Sequence, residues 1–180
     1  MEIIKTPIEG LLLIRPKIFR DERGYFFESW SKDTFERNGL DFNFVQDNQS
    51  LSSKGVLRGL HFQNPPFSQG KLVRVIKGAI LDVSVDIRKD SPTYGQYFSV
   101  ELSEDNKTIF WIPPGFAHGF LTLEDNTIVT YKCTGIYNAA SEASLIWDDA
   151  TLNIDWRIDS PLVSDKDLLG VDFKNFDSQF

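Results

Sequence analysis

The decapeptide AILDVSVDIR, Ala79–Arg88, alternates without a break. In an extended chain Ala79, Leu81, Val83, Val85 and Ile87 share one face, and Asp82, Ser84, Asp86 and Arg88 share the other. A period of two predicts a strand. Related stretches follow at short intervals: YFSVEL, TIFWIP, GFLTLE, TIVTYKCT and ASLIWDD, with Asp, Asn, Gly, Pro and Ser between them. Strands so short and closely spaced predict an all-β sandwich or barrel. Lys77-Gly78 reads as a hairpin turn before Ala79. One short helix is expected in SKDTFERNGL, with Ser31 as N-cap, Asp33 in the first turn and Gly39 as the stop. Beyond Trp156 the chain is irregular, apart from a helical turn in SDKDLLG.

No repeat, low-complexity tract or linker interrupts the 180 residues, so residues 1–180 are expected to form a single domain. The net charge of −7 argues against nucleic-acid binding, because a phosphate backbone needs a basic face. A local cluster of cations can still hold one phosphorylated small ligand. The lone Cys133 makes no intramolecular disulfide, and no metal-type cysteine spacing exists. The longest N-terminal apolar run, Leu11–Ile14, is too short for a signal-peptide core or a membrane span. The expectation is a cytoplasmic protein with no membrane partner.

The stretch GVLRGLHFQ, Gly55–Gln63, is harder to place in a dry core. Arg58 and His61 interrupt a predicted strand, and His61 is one of only two histidines. Their spacing of three sends them to opposite faces of a regular strand. A bulge at Gly59 brings both to one side, and the strand then lines a polar pocket. Other segments also embed polar groups among apolar ones. They are DERGYFFESW with Arg23 and Glu28, FVQDN with Gln46 and Asn48, QGKLVRV with Lys71, PPGFAHGF with His118, and TYKCT with Tyr131. Singly, each has a plain explanation: a hydrogen-bonded core histidine, a solvated strand-end lysine, a packed tyrosine or a surface ion pair.

Together, in order and spacing, these segments resemble the dTDP-4-dehydrorhamnose 3,5-epimerase family. The landmarks are DxRGxFxE at Asp21–Glu28, QDN at Gln46–Asn48, VLRGLHFQ, QGKLVRV, DIRKDSPTYG at Asp86–Gly95 and IPPGFAHGF. YKCT, Tyr137, Glu142, WDD and SDKD complete the pattern. The resemblance implies a cupin-type double-stranded β-helix, or jelly roll, with a few short helices. It also implies inversion at C3 and C5 of a nucleoside-diphosphate 4-keto-6-deoxy sugar, in dTDP-rhamnose biosynthesis and without a cofactor. Both carbons lie α to the ketone, so a base, an enolate stabiliser and an acid on the opposite face suffice.

By that resemblance His61 is the base, Asp167 orients its ring, Lys71 faces the enolate and Tyr131 is the acid. Arg23, Arg58 and His118 would hold diphosphate and sugar oxygens. Gln46, Asn48 and Glu28 would read the sugar and pyrimidine edges. Tyr137 would stack on the base, with Phe26 a second aromatic candidate, and Glu142 and Lys166 would contact the nucleotide. Asp47 is read as a turn residue, and Trp147 and Trp156 as packing residues. The family's N-terminal segment crosses to a second subunit, which predicts a homodimer with an exchanged strand carrying Arg23 and Glu28. Three alternatives remain: inversion at C3 alone or C5 alone, a metal-dependent cupin oxygenase, and a non-catalytic sugar-nucleotide binding protein. Two histidines 57 positions apart, with no HxH pair, speak against a metal.

Overall fold

The computed structural model describes residues 1–180. Its first six strands are β1 (Glu2–Lys5), β2 (Leu12–Arg15), β3 (Phe19–Asp21), β4 (Gly24–Phe26), β5 (Gln46–Ser52) and β6 (Leu57–Gln63). Then come β7 (Lys71–Lys77), β8 (Ala79–Asp86), β9 (Tyr97–Ser103), β10 (Ile109–Ile112), β11 (Phe116–Thr122), β12 (Thr127–Cys133) and β13 (Glu142–Ser144). One sheet runs β1-β2-β10-β7-β12-β5, a second runs β13-β6-β11-β8-β9, and β3-β4 forms a separate ribbon. Every pairing within these sheets is antiparallel. The two large sheets close on each other as a cupin-type jelly roll.

The alternation of β8 is borne out, but both of its faces are buried. Leu81, Val83, Val85 and Ile87 turn away from the facing sheet, towards Trp147, Trp156, Phe173, Phe176 and Phe180 of the C-terminal tail. Each of these four aliphatic side chains is 0% exposed, which is worth about 1.5–3 kcal/mol apiece. Trp156 locks the tail down by donating its indole N–H to the Trp147 carbonyl at 2.8 Å. The opposite face of β8 points between the sheets, where Ile80 joins Val73, Val75, Phe110, Phe120 and Val129 in an apolar plug. Asp82 and Ser84 continue that inward face, so the polar side of the strand lines the interior of the roll.

Lys77-Gly78 is not a hairpin turn. β7 and β8 belong to different sheets, and Gly78 is the corner between them, its N–H held by Glu104 at 2.8 Å. The helix α1 (Lys32–Arg37) forms where expected, with Ser31 Oγ accepting the Thr34 N–H at 3.3 Å. It buries Phe35 on the outer face of the first sheet, beside Trp30 and Phe44, while Phe42 stacks on Trp111 at 3.7 Å. ASLIWDD is shorter as a strand than its pattern suggests. β13 ends at Ser144; Leu145 still exchanges backbone hydrogen bonds with Leu60 of β6 and makes an isolated bridge to Val171 of the tail. Asp47 lies within β5, not in a turn, and pairs with Lys132 on the neighbouring strand at 2.8 Å.

The bulge in β6 is present. His61 pairs with His118 and Arg58 with Phe120, so three steps along β6 match two along β11. Gly59 sits there at φ +137°, and a Cβ on it would collide with the Gly119 Cα. The extra residue turns Arg58 and His61 to the same side, while Leu57, Leu60 and Phe62 stay in the tail-facing core.

Candidate active site

The plug fills one end of the roll and leaves the other end open. An inner chamber of about 180 Å³ there is lined by Ser50, Arg58, His61, Lys71, His118, Phe120 and Tyr131. An outer cleft of about 280 Å³ shares His61, Lys71 and Tyr131 and adds Gln46, Asn48, Gln63, Tyr137 and Glu142 among its walls. Residues from β5, β7, β11 and β12 converge because each strand turns alternate side chains inward, and the bulge in β6 adds Arg58 and His61. Asp167 arrives from the tail on a 3-10 turn, Asp167–Leu169.

His61 hydrogen-bonds through Nε2 to Asp167 Oδ1. Asp167 is 3% exposed and also accepts from Ser164 Oγ at 3.0 Å. Burial alone would raise its pKa, but the hydrogen bond and charge of His61, with help from Ser164 and Lys166, hold it below the usual carboxylate value. Lys71 Nζ donates to the His61 carbonyl at 3.4 Å. Burial pushes its ammonium below the ordinary lysine value, although Asp82 and Glu142 pull the other way. Burial pushes the Tyr131 phenol up, so it stays protonated at neutral pH. Arg58 donates from Nε to Ser52 Oγ at 3.2 Å.

At the mouth, Glu142 gathers two further groups. Tyr137 Oη donates to its Oε2 at 2.8 Å, and Lys166 Nζ reaches its Oε1 at 2.7 Å. Burial works to raise the Glu142 pKa, but these two partners outweigh it and lower it on balance. Gln46 bonds Asn48 at 3.0 Å and accepts the Tyr137 backbone N–H at 3.0 Å. Thus His61, Lys71, Tyr131, Arg58, His118, Gln46, Asn48, Tyr137 and Glu142 surround one space, with Asp167 and Lys166 attached to its walls. Arg23, Phe26 and Glu28 do not join them. They lie on or beside the β3-β4 ribbon, exposed, with Arg23 bonded to Asp21 of the same hairpin.

Asp82 was not singled out in the sequence, although it sits on the polar face of an evident strand. It is 0% exposed and holds His118 Nε2 at 2.8 Å, and burial pushes that imidazole below its ordinary pKa. Ser50, Gln63 and Ser164 are further additions whose small or neutral side chains carried no signal. No three His, Cys, Asp or Glu side chains converge so as to hold a metal ion. No helix is long and apolar enough to cross a membrane.

The profile of the dTDP-4-dehydrorhamnose 3,5-epimerase family matches residues 5–175. The chain belongs to this family. A Shigella flexneri protein named dTDP-4-dehydrorhamnose 3,5-epimerase is 49% identical over 98% of each chain. One of the same name from Methanothermobacter thermautotrophicus is 52% identical over 91% of this chain and 90% of its own. The crystal structure of the Legionella pneumophila dTDP-6-deoxy-D-glucose-3,5-epimerase, in complex with dTDP-4-keto-L-rhamnose, superposes with a TM-score of 0.93. It is 48% identical over 98% of this chain and 94% of that one. As a member of this family, the present epimerase is an isomerase, and its chamber is the site to explain.

Proposed function

We propose that this epimerase inverts C3 and C5 of dTDP-4-dehydro-6-deoxy-D-glucose, giving dTDP-4-dehydro-L-rhamnose for dTDP-rhamnose biosynthesis. The observation that carries this reading is the convergence of His61–Asp167, Lys71 and Tyr131 on one chamber. With Nε2–H donated to Asp167, the other ring nitrogen of His61 is the basic one. It takes the proton α to the ketone, and the bonding pair moves onto the C4 oxygen as an enolate. Lys71 opposes that developing charge, where a fixed cation does most for the transition state. Tyr131 delivers a proton to the opposite face, and solvent then restores the phenol and the free imidazole. Arg58 and His118 supply donors to substrate oxygens, while Gln46, Asn48, Tyr137, Glu142 and Lys166 hold the nucleotide end. The chemistry asks for no metal and no organic cofactor.

The ribbon completes the reading. All of β3 and β4 is exposed, with Phe19 53%, Tyr25 52% and Phe26 69% accessible. Apolar surface of this kind needs a cover. We infer that residues 1–180 act as one domain in a cytoplasmic homodimer, each ribbon passing Arg23, Phe26 and Glu28 to the partner's nucleotide site. Incubation with dTDP-4-keto-6-deoxyglucose in deuterated water, read by NMR, tests the reaction. Solvent deuterium is expected at both C3 and C5 of an L-configured product. Label at only one carbon would assign single inversion instead, and no label would overturn the reading.

A further inference from the structure

Gln63 is 6% exposed, yet every polar atom of its amide is engaged. Its Nε2 donates to the carbonyls of Phe67 at 2.6 Å and Ile136 at 3.1 Å, and its Oε1 accepts the Asn138 N–H at 2.8 Å. Two of those groups flank Tyr137 in sequence, so the amide clamps the backbone on both sides of that residue. The Tyr137 N–H itself goes to Gln46. At the other end of the side chain, the Tyr137 hydroxyl goes to Glu142, and Glu142 pairs with Gln63 across β6 and β13. Tyr137 is 55% exposed and packs in neither core cluster of the roll. Its position therefore depends on these polar ties.

We propose that Gln63 is a positioning residue for nucleotide recognition: it fixes the backbone at Ile136 and Asn138 so that the Tyr137 ring stands ready at the mouth of the cleft. This rests on the reading of Tyr137 as the residue that stacks on the base. Replacing the amide frees three backbone groups and lets the loop sample other conformations. Ordering it again then falls to the ligand, which weakens binding without touching the chamber. None of the Gln63 side-chain hydrogen bonds goes to His61, Lys71 or Tyr131, so the proposal leaves the chemical step intact.

The test uses Gln63→Met, which keeps the volume, and Gln63→Glu, which keeps an acceptor but loses both donors. The expected result for each is a rise of about tenfold in KM and in the dTDP dissociation constant, about 1.4 kcal/mol. kcat and deuterium exchange at saturating substrate should stay within about twofold. Inorganic pyrophosphate, which has no base, should bind the uncharged Gln63→Met variant like the parent. An equal loss of pyrophosphate affinity in Gln63→Met, or a fall in kcat with KM unchanged in either variant, would overturn the proposal. Tyr137→Ala supplies the separating arm. If it leaves dTDP binding unchanged, the stacking role fails and this proposal goes with it. If it weakens binding while both Gln63 variants do not, only the Gln63 proposal fails. In the Tyr137→Ala background, Gln63→Met should add little, and a full additive loss would contradict positioning through Tyr137.

Discussion

The inner chamber and the β3-β4 ribbon carry residues of equal standing in the sequence pattern, yet they are built in opposite ways. In the chamber, buried neighbours hold three of the polar side chains: Asp167 on His61, Asp82 on His118, Ser52 on Arg58. On the ribbon, Arg23 has only Asp21, and both lie in solvent. The chamber thus draws all its walls from one chain, whereas the ribbon presents exposed apolar surface. On the proposed function, the difference separates two tasks, chemistry by fixed groups and nucleotide capture by groups that a second copy would set in place.

Glycine substitutions break this contrast most severely. Gly59→Ala puts a methyl group into the Gly119 backbone and removes the bulge. We expect a loss of about 3 kcal/mol or more in denaturant unfolding, with activity lost as Arg58 and His61 part. Gly24→Ala on the ribbon meets no atom within 4 Å, although its φ of +127° still strains any side chain. It should cost about 1–3 kcal/mol and leave the chamber intact. Tyr131→Phe comes next. It should slow epimerisation by roughly 10²–10⁴-fold while exchange, driven by the untouched base, persists. Equal loss of both would show that the phenol does more than return a proton.

Arg23→Ala sharpens the other side of the comparison. Stability should move by no more than about 0.5 kcal/mol, as for an exposed residue. KM should rise about tenfold, the cost of one charge-assisted contact. With substrate held well below KM, mixing this variant with His61→Ala should yield hybrids more active than either parent, because one site in each hybrid has both residues. No recovery despite proven subunit exchange would confine Arg23 to its own chain.

A further effect concerns acid stability. Asp86 is fully buried; burial works to raise its pKa, but Arg88, Ser91 and Thr93 hold it down at about 2, against 3.8 for the free side chain. A carboxylate with a depressed folded-state value stabilises above the unfolded value and loses that contribution as pH falls. Asp86→Asn should therefore flatten the decline in stability between pH 3.8 and about 2, while the parent loses stability across that window. A parent and variant with parallel acid limbs would show that Asp86 contributes nothing there.

Much of this architecture was legible because β8 and β12 alternate cleanly and Ser31 caps its helix. Gly59 between Arg58 and His61 also announced the bulge. Which face of β8 turns inward was not legible, since the C-terminal aromatics that cover the apolar face lie 60 to 99 positions further on. The same non-local covering hid Asp82, whose importance appears only when β11 brings His118 beside it. Lys77-Gly78 looks like any hairpin turn, because nothing local says that the two strands enter different sheets. The meeting of Asp167 with His61 was implied only by family resemblance, and no period or turn predicts a contact across 106 positions.

The central claim is that His61 removes the substrate protons from within this chamber. Its most direct test is the rate of deuterium uptake at C3 and C5 by His61→Ala, measured by NMR in deuterated water with dTDP-4-keto-6-deoxyglucose at saturation. Uptake at both carbons should fall by roughly 10²–10⁴-fold, the range for removal of a general base, while dTDP binding stays near the parent value. Exchange at the parent rate would show that another group is the base and would contradict the account.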